Sequence, residues 1–183
     1  MNASALRRLY LVRFGFAAIW AVLLFTTKAD LGPLAVTLLV LYPAFDVAAA
    51  IIDARSSRAG NAQADASRAG LYANMAISTL ATIGIAFAAA SGIPAVLRVW
   101  GAWAIVAGLI QLFVALRRRT QGGQWPMILS GGLSALAGTS FILAAAADNP
   151  QLSNVAGYAL VGGIFFLVSA LRLPRNVLAP AKP

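Results

Sequence analysis

The chain has no cysteine, no histidine and no glutamate, and only 10% of its 183 residues are charged. The missing cysteine excludes disulfides, thiol redox chemistry and thiolate metal sites. The missing histidine removes imidazole acid–base catalysis and the usual zinc, copper and haem ligands. Five aspartates, Asp30, Asp46, Asp53, Asp65 and Asp148, are the whole acidic complement, too scattered for the convergent carboxylates that a hard metal needs. No P-loop, G-x-G-x-x-G or G-x-S-x-G pattern occurs. The expectation is a non-enzymatic protein with no catalytic residue, no cofactor and no metal.

Hydrophobic residues make up 61% of the chain. A soluble domain carries about 25% charged residues, so this one would leave much apolar surface in water. An all-α integral membrane protein is the class that fits, because ~30 Å of hydrocarbon at ~1.5 Å per residue needs about 20 apolar residues per span. Six stretches qualify or nearly so: Leu9–Thr27, Leu34–Ile52, Leu71–Ala90, Leu97–Leu116, Met127–Ala147 and Val155–Leu171. Asp30-Leu-Gly-Pro33, Ser91-Gly-Ile-Pro94 and Asp148-Asn-Pro150 separate them as short turns whose proline suits the start of the next helix. Gly122-Gly123 marks another break, and Asp53–Arg68 reads as an extended polar, mobile loop. Arg13 interrupts the first apolar run, which favours a retained helix over a cleaved leader.

The net charge of +9 bears on orientation. Arg7, Arg8, Arg13, Arg55, Arg58, Arg68, Arg117, Arg118, Arg119, Arg172, Arg175 and Lys182 share one side, while Lys28 and Arg98 lie on the other. Basic loops stay inside, so both termini are expected in the cytoplasm. Tyr10 and Trp125 read as anchors at the inner interface, Trp100 and Tyr158 at the outer. Charges scattered through short juxtamembrane loops argue against nucleic acid as a partner. Arg117-Arg118-Arg119 reads as a topology signal, or as a contact for anionic lipid headgroups.

The spans repeat in pairs. Asp46 to Arg55, Gly108 to Arg117 and Gly163 to Arg172 each run nine residues, and Pro33, Pro94 and Pro150 precede the first of each by 13, 14 and 13. Small residues six apart mark the outgoing helices: Gly15 and Ala21, Ser78 and Gly84, Gly132 and Gly138. A single domain over 1–183 is expected, made of three hairpins at about 7–55, 68–119 and 124–175 with the polar loop at 53–68. Close approach at small residues drives helix association in lipid. The Ser130, Ser134 and Gly138 face, with Gly131 and Ala135 beside it, therefore serves internal packing or a contact between copies.

The repeat of a glycine-rich outgoing helix, a proline turn and a returning helix ending in Gly-x-x-x-x-x-x-Ala-Leu-Arg resembles the HdeD-type acid-resistance membrane proteins. Val99–Arg117 followed by Trp125 carries the likeness best, and it extends over Leu9–Arg172. The resemblance implies a bacterial inner-membrane protein linked to acid or general stress, with a structural or protective role and no catalytic residue to carry over. Asp46 stands where the other copies have glycine, and Arg13 has no charged counterpart.

Counting from the turns places Arg13 and Asp46 at matching depth, likewise Asn74 and Gln111, and roughly Ser130 and Ser169. These six are the candidate polar layer in the cytoplasmic half. An ionisable group at mid-membrane costs about 2.5–3.5 kcal/mol on insertion scales, so it pairs or works. Two readings are open: a structural Arg13–Asp46 ion pair, or a small proton-coupled transporter or permease in which Asp46 titrates. Pro43, three residues before Asp46, is the one hint of a helix break.

Overall fold

A computed structural model describes residues 3–27, 31–56, 62–117 and 125–172. Six helices account for nearly all of them: α1 (Ala3–Thr26), α2 (Pro33–Ser56), α3 (Ala62–Ala88), α4 (Ile93–Arg117), α5 (Trp125–Ala144) and α6 (Ser153–Arg172). At 20 to 27 residues each, all six are long and apolar enough to cross a membrane. Strands are absent among the described residues. The protein is an all-α, six-span membrane protein, and its outer surface is that of a chain solvated by lipid. Ile19, Phe87, Leu136 and Leu143 all point outward.

Local chemistry sets the helix ends. Pro33 opens α2, where its missing N–H is no loss, and the Val36 N–H returns to the Gly32 carbonyl at 3.1 Å. A 3-10 turn, Ala89–Ser91, carries α3 into Gly92, whose φ of +90° is open to glycine and strained for other residues. At the end of α1 the Thr26 and Thr27 hydroxyls donate to the Leu23 and Leu24 carbonyls at 2.6 and 2.7 Å, and the Leu24 oxygen also accepts from the Thr27 N–H at 3.1 Å, so last-turn oxygens are satisfied. Of the polar stretch expected to be a loop over 53–68, residues 53–56 and 62–68 are helical instead, and 57–61 lie outside the described residues. Helix α2 continues through Ser56 and α3 begins at Ala62, because the segment's alanines favour helix even where its polar residues disfavour lipid. Pro43 leaves α2 an unbroken helix, contrary to the hint of a break; it is buried and costs one backbone hydrogen bond.

The helices form a ring in chain order, each against the next, with α6 closing against α1. Short turns join α1 to α2, α3 to α4 and α5 to α6, yet the most extensive packing lies elsewhere, between α4 and α5 and between α6 and α1. Glycine explains the first of these. A Cβ built on Gly101 would lie 2.6 Å from the Gly138 carbonyl oxygen, and one on Gly108 2.7 Å from that of Gly131. Both helices thus present glycines seven residues apart, and their backbones touch at two points. At Gly163 the α6 backbone approaches α1, where an added Cβ would lie 3.0 Å from that of Ala17. Gly131, Ser134 and Gly138 are among the buried residues of α5, and α4 packs against them. That face is internal packing, and Gly132 and Gly15 look into open space instead.

The apolar core fills the half of the bundle nearest the turns. Trp20, Leu24, Leu39, Ile85, Leu97, Trp100, Phe141 and Leu152 are all buried there. Trp100 is fully enclosed, stacked 5.6 Å from Trp20, so it is no interfacial anchor. Tyr158 also lies inside, its ring edge-on to Phe141 at 5.6 Å. Depth along the helix places both near the interface, but the side of the helix they occupy faces inward. Trp125 is exposed, as an anchor requires.

The glycine contacts make unequal predictions on one helix. Gly138→Ala is expected to lower unfolding free energy in detergent by about 2–3 kcal/mol, since the added carbon meets backbone. Gly132→Ala, less than two turns away in open space, should leave it unchanged or raise it by up to about 1 kcal/mol. Equal losses at both positions would refute the close crossing.

Candidate functional site

The other half of the bundle, toward the face where α1 begins and α2 ends, is not filled. A cavity of about 390 Å³ runs inward from this basic face, and all six helices line it. Residues three, four or seven apart turn toward it, as single helix faces do. Leu6, Tyr10 and Arg13 come from α1; Tyr42, Asp46 and Asp53 from α2; Gly70, Leu71 and Asn74 from α3. Helix α4 supplies more of the lining than any other, Trp103, Ala107, Gln111 and Val114 among it. Met127, Ser130 and Ser134 of α5 face Tyr158, Gly162, Phe166, Ser169 and Arg172 of α6.

Asp46 is the centre of the polar lining, and both its oxygens are engaged. Arg13 Nη2 donates to Oδ1 in a largely buried ion pair. Asn74 Nδ2 and Ser78 Oγ donate to Oδ2 at 2.6 and 2.9 Å. Ser78 in turn accepts from the Trp103 indole N–H at 3.0 Å, which ties α4 to the same carboxylate. On its other side the Arg13 guanidinium lies 4.3 Å from the centre of the Phe166 ring, a cation–π contact that reaches α6. One carboxylate thereby connects α1, α2, α3, α4 and α6. A buried charge is tolerated here because every donor it needs is present.

All six residues of the expected polar layer line this cavity: Arg13, Asp46, Asn74, Gln111, Ser130 and Ser169. Their partners differ from the depth pairing. Asn74 binds Asp46 rather than Gln111, and Gln111 donates to the Met127 carbonyl of α5 at 3.1 Å. The Ser169 hydroxyl is buried with no hydrogen-bond partner among the described residues. Three contributors lie outside the expected layer: Ser78, Trp103 and Phe166. Ser78 carries a signal in the sequence, since it follows Asn74 by one helical turn and so shares its face. Of the basic run, Arg117 ends α4, exposed, its guanidinium 5.0 Å from the Phe113 ring centre. Arg118 and Arg119 lie outside the described residues.

The floor of the cavity is aromatic. Tyr42 lies 5.7 Å from Trp100 and 6.1 Å from Trp103, and Trp100 and Trp103 meet edge to face at 5.3 Å. Below Tyr158, whose hydroxyl donates to Ser134 at 3.1 Å, the apolar core begins. Among the described residues the cavity therefore extends toward the basic face, and the turn side is packed shut.

Fold and site together define a six-span helical membrane protein with a one-sided polar cavity. No protein-family model, no curated protein and no solved structure matches the chain.

Removing one member of a buried ion pair leaves the other charge stranded, at a cost of about 3–5 kcal/mol. Arg13→Gln and Asp46→Asn are each expected to destabilise the protein on that scale, and the double variant by clearly less than their sum, measured by unfolding in detergent. Simple additivity would show that the two charges do not depend on one another.

Proposed function

We propose that this chain is a non-enzymatic protein of a bacterial inner membrane, with both termini in the cytoplasm, that admits a small molecule from the cytoplasmic side into its six-helix cavity. The reading is that of a small permease or binding protein. One observation carries it: Arg13, Asp46, Asn74, Gln111, Ser130 and Ser169, one polar residue from each of the six helices, all line one cavity of about 390 Å³. Its size falls at the lower end of small-molecule pockets, roughly 300–1,000 Å³. The Arg13–Asp46 pair holds the wall of that cavity together. Proton coupling through Asp46 is a second reading, favoured by the carboxylate's position on the cavity wall.

The stretch on which the likeness to HdeD-type proteins rests, Val99–Arg117 of α4, contributes more residues to the cavity wall than any other helix. We extend the reading on that ground: a protective role in acid or general stress is exercised through what the cavity holds. Arg117, Arg118 and Arg119 are assigned to anionic headgroups at the inner surface, each worth about 1 kcal/mol near the membrane.

The absence of native cysteine makes the test direct, because any thiol introduced is the only one. Ser130→Cys, on the cavity wall, is expected to react with a membrane-impermeant thiol reagent in inverted vesicles and to be protected in right-side-out ones. Asp148→Cys, exposed at a turn, should show the reverse. Reaction of Ser130→Cys equally from both sides, or from neither, would sink the one-sided cavity. In proteoliposomes under an imposed pH gradient, proton flux that disappears in Asp46→Asn protein shown to be folded supports coupling, and its absence from folded wild-type protein removes that second reading.

A further inference from the structure

The cavity's chemistry narrows what enters it, an inference that rests on the ligand-binding reading above. The chain carries +9 overall, yet among the described residues the ionisable groups lining the cavity other than tyrosine are Arg13, Arg172, Asp46 and Asp53, two of each sign. Two of the five acids are there, so the described lining of the cavity is balanced in charge although the chain is not. The charges of the deeper pair are committed to each other. Both Asp46 oxygens accept hydrogen bonds, from Arg13, Asn74 and Ser78, and the Arg13 guanidinium is held between Asp46 and the face of Phe166. A charged ligand would lose its hydration and find no uncommitted counter-charge deep in the bundle.

What the wall does leave open is of another kind. On α6 the residues facing the cavity include Tyr158, Gly162 and Phe166, each one turn from the next. A Cβ at Gly162 would meet nothing within 4 Å, so a gap one side chain wide opens between two aromatic rings. One further turn toward the basic face stands Ser169, whose buried hydroxyl has no partner among the described residues. Buried hydroxyls are almost always hydrogen-bonded, and this one borders the cavity. From Gly162 to Ser169 is about 10 Å along the helix axis, at ~1.5 Å per residue.

We propose that the cavity binds an uncharged aromatic molecule bearing a hydrogen-bonding group, its ring seated over Gly162 between Tyr158 and Phe166 and its polar end on Ser169. The length of that strip suits a bicyclic ring with a short hydroxyl-bearing arm. Ring faces supply the affinity, Ser169 fixes the orientation, and the committed Arg13–Asp46 pair rejects charge of either sign.

Three probes of one skeleton test it: tryptophol, which is neutral, tryptamine, a cation near neutral pH, and indole-3-acetate, an anion. Binding of each is measured by equilibrium dialysis with the full chain in lipid nanodiscs, with empty nanodiscs subtracted. Tryptophol is expected to bind saturably and at least about ten-fold tighter than either charged analogue. Ser169→Ala should weaken tryptophol about five-fold, the loss of one hydrogen bond, and leave the melting temperature near that of the wild type. Gly162→Leu, whose side chain grows into the gap, should abolish saturable binding in protein shown by its melting curve to be folded. Tryptamine or indole-3-acetate binding as tightly as tryptophol would overturn the claim of neutrality while leaving a binding cavity in place. Saturable binding of none of the three by folded wild-type protein would overturn this inference, and the one-sided thiol labelling would then decide separately whether the cavity is open at all.

Discussion

A single carboxylate organises this bundle. In lipid a bare Asp46 is too costly to keep, and the chain meets that cost by bringing donors from two neighbouring helices: Arg13 from α1, and Asn74 and Ser78 from α3. Through Ser78 the constraint passes to Trp103 on α4, and through Arg13 to Phe166 on α6. Helix α5 stands outside this network, and its glycine contacts with α4 hold it by a different force. The three positions that head the repeated nine-residue stretches show the division. Gly108 and Gly163 serve close backbone crossings, where nothing larger fits without displacement; Asp46, in the same place of the first hairpin, makes the polar centre.

The two halves of the bundle follow from where these forces act. Toward the turns, large apolar side chains such as Trp20, Leu97, Trp100 and Phe141 meet across the axis and close it. Toward the basic face the helices bring serine, asparagine, glutamine and glycine to the axis, which are too small or too polar to fill it. The cavity is what remains when six helices are held at their far ends and tied by a network on one side. Its aromatic floor marks the change from one regime to the other.

Depth is legible in the sequence and direction is not. Counting residues from the proline turns gives the coordinate along the membrane normal, which is why Arg13 and Asp46 can be set side by side and why all six polar candidates reach one cavity. The angle around each helix needs a periodic apolar face, and helices that are apolar all round have none. Trp100 and Tyr158 are therefore expected at the right depth and on the wrong side, and the six-residue spacing points to Gly132 where its neighbour Gly131 makes the contact. Helix pairing is hidden for a related reason. Short turns reveal which helices are joined, whereas close packing depends on glycines meeting across a longer connection, as Gly101 and Gly138 do. Ser78 is recoverable by its one-turn offset from Asn74, a clue that Trp103 and Phe166 lack.

Closure of the ring by α6 has a consequence for how the protein is made. Arg13 enters the membrane 33 residues ahead of Asp46, and the stretch from Asn74 to Ser78 follows later still. The first hairpin can neutralise its own charges as soon as it forms, since both members of the ion pair lie within it. The ring contact on Arg13 waits for Phe166, in the last helix. Until α6 docks against α1 the future cavity is a trough open to lipid along one side, its polar wall facing hydrocarbon. Assembly of this protein is thus a problem of shielding a finished polar surface through the interval before the final span arrives.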